Sequence, residues 1–116
     1  MTLLTIEHER QIFEQTRALI ERGWCQNDYA QDDGGKPLYV HSPPEPRYFS
    51  LGGALYQTAH LAGAGRFYAV LESNLTELLN PRQELEDFND APTTTKQAVI
   101  KLLNQAIAAR MGEKEE

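Results

Sequence analysis

Three histidines and one cysteine are the side chains in this 116-residue chain best suited to metal binding or nucleophilic chemistry. His8 and His60 have no histidine, cysteine or carboxylate three or four residues away, the spacing that brings metal ligands together on a helix. Two prolines separate His41 from Glu45, so no helix can align that pair. We therefore expect no metal site and no cofactor.

Cys25 is the only cysteine, which excludes an intramolecular disulfide and fits a reducing compartment. Catalysis by its thiol would need a base such as His41 within hydrogen-bond distance. A two-residue hairpin loop would place the two on opposite faces, whereas a three-residue loop would place them on the same face. Cysteine is among the most buried residue types, so the sequence favours a small buried hydrophobe beside Trp24. No catalytic residue is predicted.

A carboxylate, an amide and hydroxyls occur together in Asn89-Asp90-Ala91-Pro92-Thr93-Thr94. At the N-terminus of a following helix they could face a ligand, although turn formation and helix capping alone explain the same residue types and are favoured. The candidate ligand pocket lies between this turn and the second helix. Its predicted lining consists of Tyr48, Ser50, Gly53, Asn89 and Asp90.

A second candidate site is a partner-binding patch formed by Tyr29, Tyr39 and Arg47. Tyrosine combines apolar area with a polar tip and is enriched at interfaces. The sequence supports a second interpretation equally well: these rings cover the helices beneath them, since a domain of this size needs aromatic core area.

Apolar residues at helical spacing predict four helices that position these sites. They cover about residues 6–22, 47–62 and 67–79, and a last segment from a Thr94 cap through Arg110. Between the first two helices, residues 24–30 and 36–40 predict a small β-hairpin. The fold class is therefore α+β, mainly α. Gly52 and Gly53 each cost about 1 kcal/mol of helix propensity relative to alanine, so we expect a neighbouring helix or a ligand close to them.

Composition and charge narrow the function classes. The formal net charge of −6 disfavours nucleic-acid binding, and no apolar run is long enough to span a membrane. The N-terminus lacks the pattern of a secretory signal, so we expect a cytoplasmic protein. Residues 1–111 are expected to form one domain, followed by a charged, flexible tail at residues 112–116.

Three motifs together resemble a family of small bacterial and phage proteins classed as a domain of unknown function. The motifs are Gly23-Trp24-Cys25-Gln26, Phe49-Ser50-Leu51-Gly52-Gly53-Ala54-Leu55 and Phe88-Asn89-Asp90-Ala91-Pro92. The resemblance spans about residues 17–108 and implies a bacterial or phage source. Phe49 and Ser50 stand where the family often has an aromatic-cysteine pair, so no thiol is expected there. The resemblance carries no activity over to this chain.

These observations favour a non-enzymatic interaction or regulatory module that binds an unidentified protein partner or a second copy of itself. The alternative is a small-molecule-binding protein or small enzyme with its pocket near the Asn89-Asp90 turn. A third possibility, a nucleic-acid mimic, would need the acidic residues on one face and is ranked last, because they are spread along the chain.

Overall fold

The computed structural model describes residues 4–40 and 45–114, with side chains described through residue 110. His41 lies outside the described residues, so the Cys25–His41 geometry remains a prediction. Within the described part of the chain the elements run, in order: α1 Ile6–Arg22, β1 Ala30–Gln31, β2 Tyr48–Phe49, α2 Leu51–Leu61, a 3₁₀ turn Gly65–Phe67, α3 Tyr68–Thr76, α4 Leu85–Asp90 and α5 Lys96–Lys114. This arrangement confirms the mainly-α, α+β fold class.

The core forms where α1 packs along α5 and crosses α2. The buried stripe of α1 has the helical spacing seen in the sequence and includes Ile12, Phe13 and Ile20. Two buried hydroxyls lie inside this core. Thr16 Oγ1 and Thr58 Oγ1 are 2.7 Å apart, so one hydroxyl donates to the other, which itself donates to a carbonyl of its own helix, Ile12 O or Leu55 O. Both hydroxyls are thus hydrogen-bonded without water.

The two-stranded sheet differs from the predicted hairpin. β1 pairs antiparallel with β2, with Ala30 opposite Phe49 and Gln31 opposite Tyr48. The predicted second strand, residues 36–40, contributes a single bridge at Pro37. Phe49 takes the pairing position because its ring is buried and its backbone also bonds residues 23 and 25 on its other side.

The second helix therefore begins at Leu51, and the prediction that it starts at residue 47 is wrong. The Ser50 hydroxyl accepts a hydrogen bond from the Gly53 backbone N–H at 3.0 Å, which makes Ser50 the N-cap. Tyr48 and Phe49 are consequently extended, a conformation that aromatic residues favour.

Residues 85–90 form a fifth, short helix that the periodicity did not predict, because six residues are too few to show a helical repeat. Its inner face carries Leu85 and Asn89, both fully buried. Thr95, and not Thr94, caps α5, since the Thr95 hydroxyl accepts from the Ala98 N–H at 3.1 Å. The helical backbone continues to Lys114, beyond the predicted end at Arg110.

Candidate functional site

The Asn89 side chain joins three segments that are far apart in the sequence. Its Oδ1 accepts hydrogen bonds from the Trp24 indole N–H at 2.8 Å and from the Leu51 backbone N–H at 2.9 Å. Its Nδ2 donates to the Cys25 carbonyl at 3.1 Å and to Asp90 Oδ1 at 2.9 Å. Asn89 is fully buried, and both ends of its amide are bonded. Its role here is structural, because it caps α2 and holds the 24–27 segment.

The same segment is bonded to α4 a second time. Gln26 Nε2 donates to the carbonyls of Asn89 at 3.0 Å and Ala91 at 2.9 Å. The Asn27 N–H donates to Asp90 Oδ1 at 2.8 Å, with Asn27 in the left-handed region at φ 73°. Asparagine tolerates this conformation better than most residues. One Asp90 oxygen is thus occupied by two donors.

The two glycines at the start of α2 are required by close neighbours. A methyl group at Gly53 would overlap the carbonyl oxygen of Tyr29, and one at Gly52 would overlap the carboxylate of Glu86. The Tyr68 hydroxyl also lies 3.3 Å from the position of that Gly52 methyl. Close approach to these glycines, expected from the sequence, is therefore confirmed. The neighbours are a loop backbone and a helix side chain.

An open cleft of about 1340 Å³ lies above Gly52. Its lining residues come from the 27–29 and 37–40 loops and from α2, α3 and α4. Four tyrosines and three carboxylates contribute to its lining: Tyr29, Tyr39, Tyr56 and Tyr68, with Asp28, Glu86 and Asp90. Tyr56 and Tyr68 pack edge to face, with ring centroids 5.5 Å apart at 80°.

Glu86 has the most perturbed carboxyl group in the cleft. Burial, followed by the charges of Asp90, Glu72 and Asp87, raises the pKa of Glu86 to about 7. Its Oε1 is buried and has no hydrogen-bond partner among the described residues. Near neutral pH the group therefore exchanges between a carboxylic acid and a carboxylate, which few surface glutamates do.

The neighbouring groups are held in their neutral forms. Burial and then the Glu72 and Glu86 charges raise the pKa of the Tyr68 phenol, and the Glu86 charge is the main cause of a raised pKa at Tyr29. Burial and the Asp28 charge raise the pKa of the Cys25 thiol to about 12. The thiol is buried, as predicted, and is no nucleophile at neutral pH.

The structure separates the residues of the predicted ligand pocket. Asp90 lines the cleft, whereas Asn89 and Ser50 are fully buried in capping bonds and Gly53 packs against the Tyr29 backbone. Tyr48 lies under the Arg47 guanidinium, 5.0 Å from ring centroid to Arg47 Cζ. A pocket with that full lining stays untested.

The predicted partner patch is also divided. Tyr29 and Tyr39 are 56% and 84% exposed and line the same cleft as Asp90. Arg47 is not among the cleft residues. It donates to the Arg22 carbonyl and lies 3.9 Å from an Asp33 carboxylate oxygen.

Sequence reasoning missed Glu86, Tyr68 and Asp28 as cleft residues. The available signal was the four-residue spacing of Glu86 and Asp90, which places both carboxylates on one face if residues 85–90 are helical. That signal depends on recognising the short helix.

Residues 4–40 and 45–114 lack two kinds of feature. No group of three or more histidine, cysteine or acidic residues is arranged to hold a metal ion. No helix in the described part of the chain is long and apolar enough to cross a membrane.

The fold and site define a small, mainly helical domain with an open, tyrosine-lined cleft. Comparison with protein families identifies its family: a family model described as "Family of unknown function (DUF6197)" matches residues 6–109. The chain belongs to this family. A search of curated proteins found no match, and neither did a search of solved structures.

Proposed function

We propose that this protein is a non-enzymatic interaction module that binds a partner protein in the cleft. The observation that carries the proposal is that three well-exposed tyrosines, Tyr29, Tyr39 and Tyr56, line one open depression. Exposed aromatic rings gathered around a concave surface are typical of interface hot spots. The predicted partner patch is thus retained for Tyr29 and Tyr39 and extended across the cleft to Asp90.

The cleft is built on rigid supports, which favours binding by a preformed surface. Tyr29 is fixed from behind, because its carbonyl accepts from the Ser50 N–H at 3.1 Å and packs on Gly53. Asp90 is held by Asn27 and Asn89. A preformed site loses little conformational entropy when a partner binds.

The proposed setting is the bacterial cytoplasm. The single buried cysteine suits a reducing compartment, and the net charge of −6 makes association with nucleic acid unfavourable. A second copy of the chain is one form that the partner can take.

Site-specific photo-crosslinking tests this proposal. A photoreactive phenylalanine analogue replaces Tyr39 or Tyr29 in cells, and Lys101 on the exposed side of α5 serves as the control position. We expect one partner, or a crosslinked dimer, at positions 39 and 29 and not at 101, and we expect the purified pair to bind with loss of affinity in Tyr39→Ala. Equal capture at all three positions, or none at 29 and 39, would refute it.

A second candidate function is a small-molecule-binding protein or small enzyme. Glu86 favours it, because a carboxyl group with a pKa near 7 is suited to general acid–base work. Native mass spectrometry of gently purified protein distinguishes the two: a bound mass of a few hundred daltons that is lost in Glu86→Ala supports this candidate, and bare protein argues against it.

A further inference from the structure

Among the residues that the structure describes, the carboxylates of the cleft have no positive counterpart in its lining. Asp28, Glu86 and Asp90 form no ion pair within the described part of the chain, and the lining residues described include no lysine, arginine or histidine. Among the described residues, the neutral Gln31 amide is the donor to Asp28 Oδ2, at 2.8 Å. The described residues therefore give the cleft a negative potential that none of the described lining residues compensates.

The tyrosine rings of the cleft favour the same kind of ligand as its negative potential, a cation. The raised pKa values of Tyr29 and Tyr68 keep these two phenols neutral at physiological pH, and the faces of aromatic rings attract cations. Tyr29 and Tyr39 come from the loops, Tyr56 from α2 and Tyr68 from α3, and all four line the cleft together with Glu86 and Asp90. Rings and carboxylates in one depression are complementary to a cation with an apolar stem.

Anionic ligands are disfavoured at the same place. A phosphate at the start of α2 would need the space above Gly52, and the Glu86 carboxylate already occupies it. The Leu51 and Gly53 N–H groups are bonded to Asn89 and Ser50. The helix N-terminus thus offers no free donor from these two residues.

We propose that the cleft binds a basic side chain, lysine or arginine, presented by the partner protein, with its charge at Glu86 and Asp90 and its stem between the tyrosines. This inference rests on the proposed function and names its chemistry. Both basic side chains combine a cationic head with an apolar stem, which suits a depression of this composition.

Cation binding at this site is coupled to protonation. Glu86 faces Asp90 and Asp87 of its own helix, Glu72 and Tyr68 of α3, Tyr56 of α2, and Asp28, Tyr29 and Cys25 of the loop. A bound cation favours the carboxylate, so affinity rises as pH increases from 6 to 8 and Glu86 ionises. It falls with added salt, since the attraction is electrostatic.

The test uses N-acetyl-arginine amide and N-acetyl-lysine amide, with the neutral N-acetyl-citrulline amide as the isosteric control. Binding to the full chain is followed by NMR through the ring signals of Tyr29, Tyr39 and Tyr68. We expect at least one cationic probe to bind at least tenfold more tightly than citrulline amide at pH 8, and severalfold more weakly at pH 6.

Two variants with the same charge change refine the test. Glu86→Gln should weaken the cationic probe severalfold and flatten its pH dependence. Glu84→Gln, which changes an exposed residue outside the cleft, should leave both unchanged. Circular dichroism confirms that each variant is folded.

Equal binding of cationic and neutral probes, binding of none of them, or equal effects of the two variants would overturn the inference. None of these outcomes bears on the interaction module itself, because the proposed function is tested separately by the crosslinking at positions 29 and 39. A crosslinked partner segment without lysine or arginine would retain the interaction module and reject the basic side chain.

Discussion

The Trp24 indole N–H donates a 2.8 Å hydrogen bond to Asn89 Oδ1, across 65 positions of sequence. Because the same oxygen accepts from the Leu51 N–H, one atom joins the end of the α1 loop, the start of α2 and the end of α4. Three segments that are far apart in the sequence therefore converge on one structural junction.

Replacing Asn89 should destabilise the fold strongly. Asn89→Ala leaves buried donors at Trp24 and Leu51 and an acceptor at Cys25 unpaired, so we expect a loss of about 2–4 kcal/mol in the free energy of unfolding. Urea titration followed by circular dichroism measures it. Gln105→Ala, at an exposed site on α5, should change stability by less than about 0.5 kcal/mol. Similar losses in both variants would contradict the junction.

The two glycines of α2 should respond differently to alanine. Gly53→Ala drives a methyl group into the Tyr29 backbone, which cannot move without breaking the loop, so we expect a cost of about 2–3 kcal/mol. Gly52→Ala meets the end of the Glu86 side chain, which can rotate into solvent, and it gains helix propensity. Its stability should stay within about 1 kcal/mol of the wild type, while the pKa of Glu86 falls toward 4.5. Chemical denaturation and an NMR titration of the carboxyl group check the two effects, and equal destabilisation would count against this reading.

Glu86 should make stability depend on pH. Its pKa is raised from 4.5 to about 7 in the folded state, so between these values the folded chain holds a proton that the unfolded chain has lost. Stability contributed by this group therefore decreases as pH rises from about 4.5 to about 7. After allowance for the partial exposure of Glu86, the Glu86→Gln variant should gain on the order of 1 kcal/mol over the wild type at pH 8 relative to pH 4. Glu84→Gln is the control. If the difference in the free energy of unfolding between Glu86→Gln and the wild type does not grow with pH, the raised pKa of Glu86 is contradicted.

Cys25 should react slowly while the protein is folded. With the pKa of the thiol at about 12 instead of 9.0, the thiolate fraction at pH 8 falls by roughly a thousandfold, and burial adds to this. A disulfide reagent should label the native chain at least a hundredfold more slowly than the chain in urea. Equal rates would show an accessible thiol and reopen nucleophilic chemistry.

The amino-acid sequence by itself determined the helices that bury a long apolar stripe, the burial of Cys25 and the need for close contact at Gly52 and Gly53. These features follow from local periodicity, residue type and backbone propensity, which act within a few residues. The same reasoning placed Tyr29, Tyr39 and Asp90 on the list of candidates but assigned them to two separate sites.

Only the tertiary structure decided that these residues share one cleft, that Phe49 pairs with Ala30, and that Asn89 is a buried junction between α4, the start of α2 and the segment that contains Trp24. The raised pKa of Glu86 likewise depends on the burial of its carboxyl group, which lies against Gly52, and then on charges from α3 and α4. Contacts across tens of residues depend on how the elements pack, and a six-residue helix is stable only through that packing. Local sequence patterns carry no record of such distances.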